Sequence, residues 1–436
     1  MAMHQNKLLF SALIAGVAVL SVTAAEKLDA NTNAYWEATA VVPAPKAPAD
    51  CAFVDETLAK CAENYSVLLA NAIRDYTPAK PYPKRFRNGK VEYIPDWDWC
   101  TGFWPGSLWL LYEATGDLKW KFAAEKYSDE LIHIRFSNLH HDLGFMALPP
   151  AGNGLRITGD KKYAMWLYDS ARALQTRWRP GAKAIQAWGV WGGKWGDSCS
   201  IIVDAMLNME LFEFAANYPA TGKLTAERDW LEGGSFRDMA EMHVDTSIKY
   251  LLRPDGSSHH MALIDFKTGE LIENRTGQGI GHWSRGQSWV VYGFPMMYEY
   301  TKNPKYLEIA KKVADYAMTQ KDLPADSIPY WDYEAPNIPN EERDSSAAAV
   351  IGCGLLRLSR LVDDKALAAK YRAEAIKIAK SLSSDAYFCK PTECGGFLLK
   401  HAVGSKPDKA EIDMPLNYGE YYFLELLLDL KRTRTW

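Results

Sequence analysis

From residue 53 onward, apolar positions recur at helical spacing almost everywhere along the chain. In KALAAKYRAEAIKIAKSL, the residues Leu367, Tyr371, Ala375, Ile378 and Leu382 follow steps of 4, 4, 3 and 4, which stacks them on one helix face. The pattern predicts twelve helices, near 53–77, 103–116, 118–136, 142–157, 160–177, 200–218, 234–252, 284–301, 303–319, 343–362, 364–383 and 416–432. A short pattern also recurs at helix starts. TGDLKW begins at Thr115, TGDKKY at Thr158 and TKNPKY at Thr301, with VDDKAL at Val362 as a looser copy. In each, Asp or Asn can cap the next helix through its side-chain oxygen, and Pro304 suits a first helical turn. Each copy closely follows one helix and opens another, which is the trace of repeated helix–turn–helix hairpins. Twelve helices in six pairs predict an all-α fold, an (α/α)6 barrel built as a six-hairpin toroid. An open helical solenoid is the alternative. The long loops at 78–101, 179–199, 253–283 and 320–342 favour the closed form, because they would crowd one mouth of a barrel with Trp, Gly, His and Asp.

The N-terminal stretch reads differently. Leu8 to Leu20 is apolar with small residues throughout, Lys7 precedes it, and SVTAAEK offers a small-residue cleavage site near Ala24 or Ala25. That layout predicts a signal peptide over 1–25 and a periplasmic or secreted protein. The apolar run is too short for a comfortable membrane span. No cysteine follows it closely, so no lipid anchor is expected. Residues 38–50, ATAVVPAPKAPAD, read as a Pro- and Ala-rich tether. The expected organisation is a signal peptide (1–25), an extension and tether (26–52) and the barrel domain (53–436).

Charge and cysteine usage remove several function classes. With 50 basic and 54 acidic residues the net charge is −4, which argues against a nucleic-acid partner but leaves room for a small anionic substrate. Seven cysteines in a chain of this size do not make a disulfide scaffold. Cys389 and Cys394, close together in a loop-like stretch, are a plausible bridge in an exported protein, and Cys51 with Cys61 is a weaker pair. No CxxC spacing occurs and the histidines do not sit near the cysteines, so no metal site is expected. The 16 Trp and 23 Tyr mostly have to fill a core. Trp beside Gly in loops is less well explained by packing, and flat rings make good platforms for sugar faces.

Four clusters carry candidate chemistry. In DWDWCTGFWPGSLWLLYE (96–113), Asp98 and Trp99 precede a helix, and taken alone they read as a helix-start Asp and a packed Trp. In HHDLGF (140–145), Asp142 is placed to cap the following helix. Its two His neighbours point in different directions, which disfavours joint metal ligation. In SCSIIVDAMLNMELF (198–212), Asp204 sits within an apolar run read as helical, with Asn208 one turn on. A charge there must reach solvent, find a partner or stay partly protonated, so a general acid and a structural Asp–Arg pair are equally good readings. In GQGIGHWSRGQSW (277–289), Arg285 lies between Trp283 and Trp289, suited to a carboxylate and a sugar ring or simply to an aromatic-packed helix start.

Taken in order, these stretches resemble the unsaturated glucuronyl hydrolases. The matching islands are DWCTGFWPGSLWLLYE, HHDLGF, IQAWG (185–189), IIVDAMLN, SSHH (257–260), GQG, WSRGQSW, YWDYEAP (330–336), RDSSAAA (343–349) and GEYYFLE (419–425). The resemblance implies an (α/α)6 barrel without a metal or other cofactor. It implies release of a 4,5-unsaturated uronic acid from the non-reducing end of lyase-generated oligosaccharides. The family's acidic pair falls on Asp142 and Asp204, with Asp204 as acid and base. Its binding residues fall on Trp99, His141, Trp188, His260, Gln278, Trp283, Arg285 and Trp289. One departure is Gly277, where family members carry His just before the glutamine. Three rivals stay open: an unsaturated rhamnogalacturonyl hydrolase acting on pectin fragments, an inverting glycosidase on the same barrel, and a non-catalytic envelope sugar-binding protein.

Overall fold

The computed structural model describes residues 46–189, 198–218, 235–275 and 281–432. The expected signal peptide, most of the tether, and Gly277 with Gln278 lie outside them. The chain is mostly helical. In order the helices are α1 (Phe53–Arg74), α2 (Phe103–Thr115), α3 (Leu118–Leu131), α4 (Leu143–Ala147), α5 (Asn153–Thr158), α6 (Lys161–Gln175), α7 (Ala205–Asn208), α8 (Glu210–Asn217), α9 (Phe236–Leu251), α10 (Ser284–Thr301), α11 (Pro304–Met318), α12 (Ser345–Ser359), α13 (Lys365–Leu382) and α14 (Asn417–Lys431).

The recurring cap motif works as its chemistry suggests. Asp117 accepts from the backbone N–H of Lys119 at 2.9 Å, Asp160 from Lys162 at 2.9 Å, Asn303 from Lys305 at 3.1 Å and Asp364 from Ala366 at 2.8 Å. Each satisfies an N–H that the first helical turn leaves without an intrahelical acceptor. Between α4 and α5 the expected single helix is interrupted by a π-turn over Leu148–Gly152, which contains Pro149 and Pro150. Neither proline can donate to the helical ladder.

Two kinds of helix pack together. α12 is buried from Ser345 to Leu358, and α10 and α14 are buried nearly all round, whereas α11 and α13 bury one face only. A helix that is apolar on every side needs neighbours on every side. α10 packs on α12, α12 on α14 and α14 on α2, while α11, α13 and α3 lie against α10, α12 and α2 respectively. The approach of α12 to α10 is close. A Cβ on Gly354 would fall 2.5 Å from the Val291 carbonyl oxygen, so only glycine fits there. Trp104, Trp109, Trp120, Trp166 and Trp289 are all fully buried, so much of the tryptophan content is core.

The all-α expectation needs correction in the long loops. A hairpin joins β1 (Tyr82–Arg87) to β2 (Lys90–Ile94), and β3 (Trp178–Arg179) pairs with β4 (Ala184–Ile185). A three-stranded antiparallel sheet has the order β5 (Ser198–Ile202), β6 (Met261–Asp265), β7 (Leu271–Arg275). The helix expected over 200–218 therefore begins as a strand. The run SCSII is short, apolar and partly β-branched, so periodicity alone cannot assign it, and pairing with β6 decides. Cys389 and Cys394 form a disulfide, while Cys51 and Cys61 are both buried free thiols. Among the described residues no helix is long and apolar enough to cross a membrane.

Candidate active site

Asp142 stands at the N-cap position of α4 but makes no capping hydrogen bond. Asn208 at the end of α7 takes over that job. Its Oδ1 accepts from the N–H of Gly144 at 2.6 Å and of Phe145 at 3.3 Å. A Cβ on Gly144 would come 2.5 Å from that oxygen, so this long-range cap requires glycine. The helix-cap reading of Asp142 is thereby replaced. Its carboxyl is released to face two imidazoles, with Oδ2 3.2 Å from His140 Nδ1 and Oδ1 3.5 Å from His141 Nε2.

These neighbours set the charge states. Burial pushes the Asp142 carboxyl up, but His141 and His140 outweigh it and hold its pKa below the usual aspartate value. Burial pushes His141 below the ordinary histidine range and dominates the attraction of Asp142 and Asp204, so the ring stays neutral near pH 7. Burial works against protonation of His140 as well, yet the hydrogen bond and charge of Asp142, with the Trp97 carbonyl, raise it overall.

Asp204 lies between β5 and α7 rather than inside a helix. The β5–β6 register pairs Ile202 with Met261, and one step on the Val203 N–H donates to the His260 carbonyl at 3.0 Å. Continuing along the ladder, His260 Nε2 comes 3.5 Å from Asp204 Oδ1. Asn208 donates to the main-chain oxygen of Asp204 at 3.4 Å, not to its carboxyl as its helical spacing suggests.

Both carboxyls open into one cavity of about 200 Å³. Eight of the ten residues expected from sequence line it: Asp142, Asp204, Trp99, His141, Trp188, His260, Trp283 and Arg285. Their rings form a nearly continuous wall. Trp188 lies edge-on to His141 at 6.2 Å and to His260 at 5.9 Å, and His260 meets Trp283 at 4.9 Å. On the other side Trp99 stacks on Tyr418 at 5.1 Å and touches Phe145 at 5.5 Å.

Two expected binding residues behave differently. Trp289 is fully buried, with its ring 5.1 Å from Phe145 and 5.8 Å from Tyr422, so it backs the cavity wall and does not reach the cavity. Arg285 does line the cavity, but much of its guanidinium is already engaged. It donates to the carbonyl oxygens of Val403 and Gly404, lies 3.4 Å from Asp344 Oδ2, and sits over the rings of Trp283 at 4.6 Å and Tyr418 at 5.1 Å. Its first task is to tie the 403–404 backbone to α10.

That tie brings in residues the sequence reading did not single out. Gly404, Ser405, Glu411 and Tyr418 join Phe145 and Ile202 in the wall. Glu411 is held by Lys84 at 3.1 Å and Arg85 at 2.5 Å, and Lys84 also meets Asp98 at 3.2 Å. Segment 401–416 carries no motif. Only Tyr418, directly before GEYYFLE, lay close to one.

Comparison with known proteins then bears on what this cavity belongs to. No protein-family model matches the chain. It is 35% identical over 341 residues to an unsaturated glucuronyl hydrolase of Formosa agariphila, covering 77% of this chain and 81% of that protein. The chain belongs to the unsaturated glucuronyl hydrolases. Its identity to the family member from Bacillus sp. (strain GL1) is 34% over 360 residues, covering 79% of this chain and 90% of that one. A crystal structure of an unsaturated glucuronyl hydrolase specific for heparin shares the fold with a TM-score of 0.77 and 36% identity, over 87% of this chain and 96% of that one. As an unsaturated glucuronyl hydrolase the chain is a glycosidase.

Proposed function

We propose that this glycosidase removes the 4,5-unsaturated uronic acid from the non-reducing end of oligosaccharides left by polysaccharide lyases, and that it does so by hydrating the C4=C5 bond. The observation that carries this reading is two carboxyls, Asp142 and Asp204, each beside its own histidine in one aromatic-walled cavity. The substrate's double bond is an enol ether. Asp204 donates a proton to C4, and the positive charge that develops at C5 is shared with the ring oxygen. Water adds to C5 and returns a proton to Asp204. The resulting hemiketal opens and the leaving sugar departs by rearrangement. An inverting glycosidase would instead protonate the glycosidic oxygen and attack the anomeric carbon.

His260, with Nε2 3.5 Å from Asp204 Oδ1, holds the acid carboxyl in its orientation. Asp142 is ionised, since its histidines keep its pKa low, and it orients the sugar and stabilises charge at C5. Trp99, Trp188 and Trp283 stack on the sugars and exclude water, Gln278 joins them as a substrate contact, and Arg285 adds positive charge for the uronate. The heparin specificity of the structural neighbour supports a glycosaminoglycan-derived substrate.

The architecture belonging to this reading is an (α/α)6 barrel over 53–436. It is supported by the succession of contacts α2–α14–α12–α10–α7–α4 and from α4 through the following π-turn to α2, with the one-faced helices outside. Export through the signal peptide at 1–25 fits a substrate generated by secreted lyases. A panel of lyase-generated disaccharides, assayed by loss of the enol-ether ultraviolet absorbance, tests the function. Turnover of at least one uronate disaccharide is expected, and none of any member would sink the proposal.

A further inference from the structure

His140 bridges the cavity to the surface in a way that gives it two distinct states. Its Nε2 lies 3.2 Å from the Trp97 carbonyl oxygen. A carbonyl can only accept, so this nitrogen carries a proton in every state of the ring. The chemistry is left to Nδ1, which sits 3.2 Å from two atoms of the same residue, the N–H of Asp142 and its carboxyl Oδ2. These make opposite demands. An unprotonated Nδ1 accepts from the N–H and turns a lone pair toward Oδ2. A protonated Nδ1 donates to Oδ2, and the backbone N–H loses its acceptor.

We propose that His140 is a positioning residue whose protonation at Nδ1 sets the orientation of the Asp142 carboxyl toward the substrate. The inference rests on the role given above to Asp142. With the proton present, Oδ2 is pulled to His140 and Oδ1 is left to face His141 and the cavity. With the proton gone, Oδ2 is repelled and the carboxyl turns about its Cβ–Cγ bond. Because Asp142 lines the cavity and His140 does not, the effect of His140 passes through Asp142.

The groups around His140 fit such a device. Asp142 faces it from one side, and neighbouring His141 is neutral because it is buried. Arg177, the residue before β3, acts on it and opposes its charge. On the adjoining segments Asp96 is occupied by His133 at 2.8 Å and Asp98 by Lys84 at 3.2 Å. The net balance raises the His140 pKa above that of an ordinary histidine, although burial opposes this. The arrangement protonated at Nδ1 is the working one, and it persists to higher pH than an ordinary histidine would allow.

The test compares kcat/KM against pH for the wild type, His140→Gln, Asp142→Asn and the double variant on one unsaturated disaccharide. Glutamine can donate to Oδ2 but does not titrate. The wild type should lose activity on an alkaline limb above pH 6.5, and His140→Gln should abolish that limb with KM changed less than kcat, which falls roughly three- to tenfold. In the Asp142→Asn background, His140→Gln should have no further effect on the profile. A His140→Gln profile that superimposes on the wild type, while Asp142→Asn is impaired, overturns the proposal. An Asp142→Asn variant as active as the wild type overturns instead the reading of Asp142 on which it rests. If His140→Gln does not fold, nitrogen-15 spectra of histidine-labelled wild type decide. They should show Nε2 protonated throughout and Nδ1 gaining its proton as pH falls, and a neutral ring protonated at Nδ1 would refute the assignment.

Discussion

His260 Nε2 lies 3.5 Å from Asp204 Oδ1, and the pair owes its meeting to strand register. Ile202 opposes Met261 in the β5–β6 ladder, so the residues just beyond, on the chain leaving β5 and the chain entering β6, leave the sheet side by side. A slip of one residue would turn one strand's side chains to the opposite face and separate the pair. The acid of the proposed mechanism is thus aimed by a sheet in a largely helical protein.

Asp204→Asn should lower kcat by about 10²–10⁴-fold while leaving the thermal midpoint close to that of the wild type. An amide can neither deliver nor recover a proton. Steady-state rates on an unsaturated disaccharide, with circular-dichroism melting on the same preparation, check this. A variant turning over near the wild-type rate removes Asp204 from the chemistry.

Asn208→Ala should destabilise the protein by about 1–3 kcal/mol, because the N–H groups of Gly144 and Phe145 lose their acceptor in a buried place. Activity should fall as well, since Asp142 stands at the head of the helix that Asn208 caps. Urea unfolding and kcat measured together separate this from a purely catalytic loss. Unchanged stability would mean that another group caps α4.

How far the sequence can be read depends on where each instruction lies. The caps Asp117, Asp160, Asn303 and Asp364 act on N–H groups two residues away, so the helix starts are legible from short motifs. Strand β5 is not, because its partner is some 60 residues downstream and SCSII suits helix or strand equally well. The same holds for Asp142, whose capping duty passes to Asn208, 64 positions beyond the Gly144 N–H that it caps. Gly404, Ser405 and Glu411 come from a stretch without periodicity, and reach the cavity through Arg285, Lys84 and Arg85.

Trp283 and Trp289 should separate cleanly, although the sequence treats them alike. Trp283 lines the cavity, so Trp283→Ala should chiefly raise KM. Trp289 is fully buried, so Trp289→Ala should cost about 3–5 kcal/mol of stability through the cavity it leaves. Denaturant titration and Michaelis kinetics on both variants decide. A folded, fully stable Trp289→Ala with a raised KM would return Trp289 to the substrate wall.

Stability should fall on acidification through His243. This ring is fully buried, its Nδ1 accepts from the Ile185 N–H at 3.1 Å, and burial pushes its pKa down to about 3. The unfolded chain takes up a proton near pH 6.5 that the native ring refuses. The stabilisation is therefore complete above pH 6.5 and is lost as pH falls from there toward 3, at up to about 1.4 kcal/mol per unit. His141, also lowered by burial, adds in the same direction. His243→Gln keeps an acceptor for Ile185 but cannot titrate. Between pH 6.5 and 5 it should lose roughly 1–2 kcal/mol less than the wild type in urea titrations. Parallel curves for the two proteins would show that His243 is not the titrating group.

Turnover in oxygen-18 water should place the label at C5 of the released uronate, and saturated oligosaccharides of the same composition should resist cleavage. Both outcomes follow from hydration of C4=C5, in which the new C–O bond forms at C5 and the glycosidic bond breaks only as the hemiketal collapses. An inverting glycosidase would yield the same two sugars, so product identity alone does not separate the mechanisms. Label at C1 would favour that rival, and it would change the duty of Asp142. That carboxylate would then have to activate a water on the opposite ring face, roughly 6.5–9.5 Å from the acid. In the hydration mechanism Asp204 carries both proton transfers, and Asp142 acts through orientation and charge. Asp142→Asn should accordingly slow different substrates to different extents, depending on how far their other sugars already fix the uronate. Asp204→Asn should slow them all alike. Mass spectrometry of the labelled product, run beside kcat/KM for both variants on two disaccharides, tests the mechanism and the division of labour together.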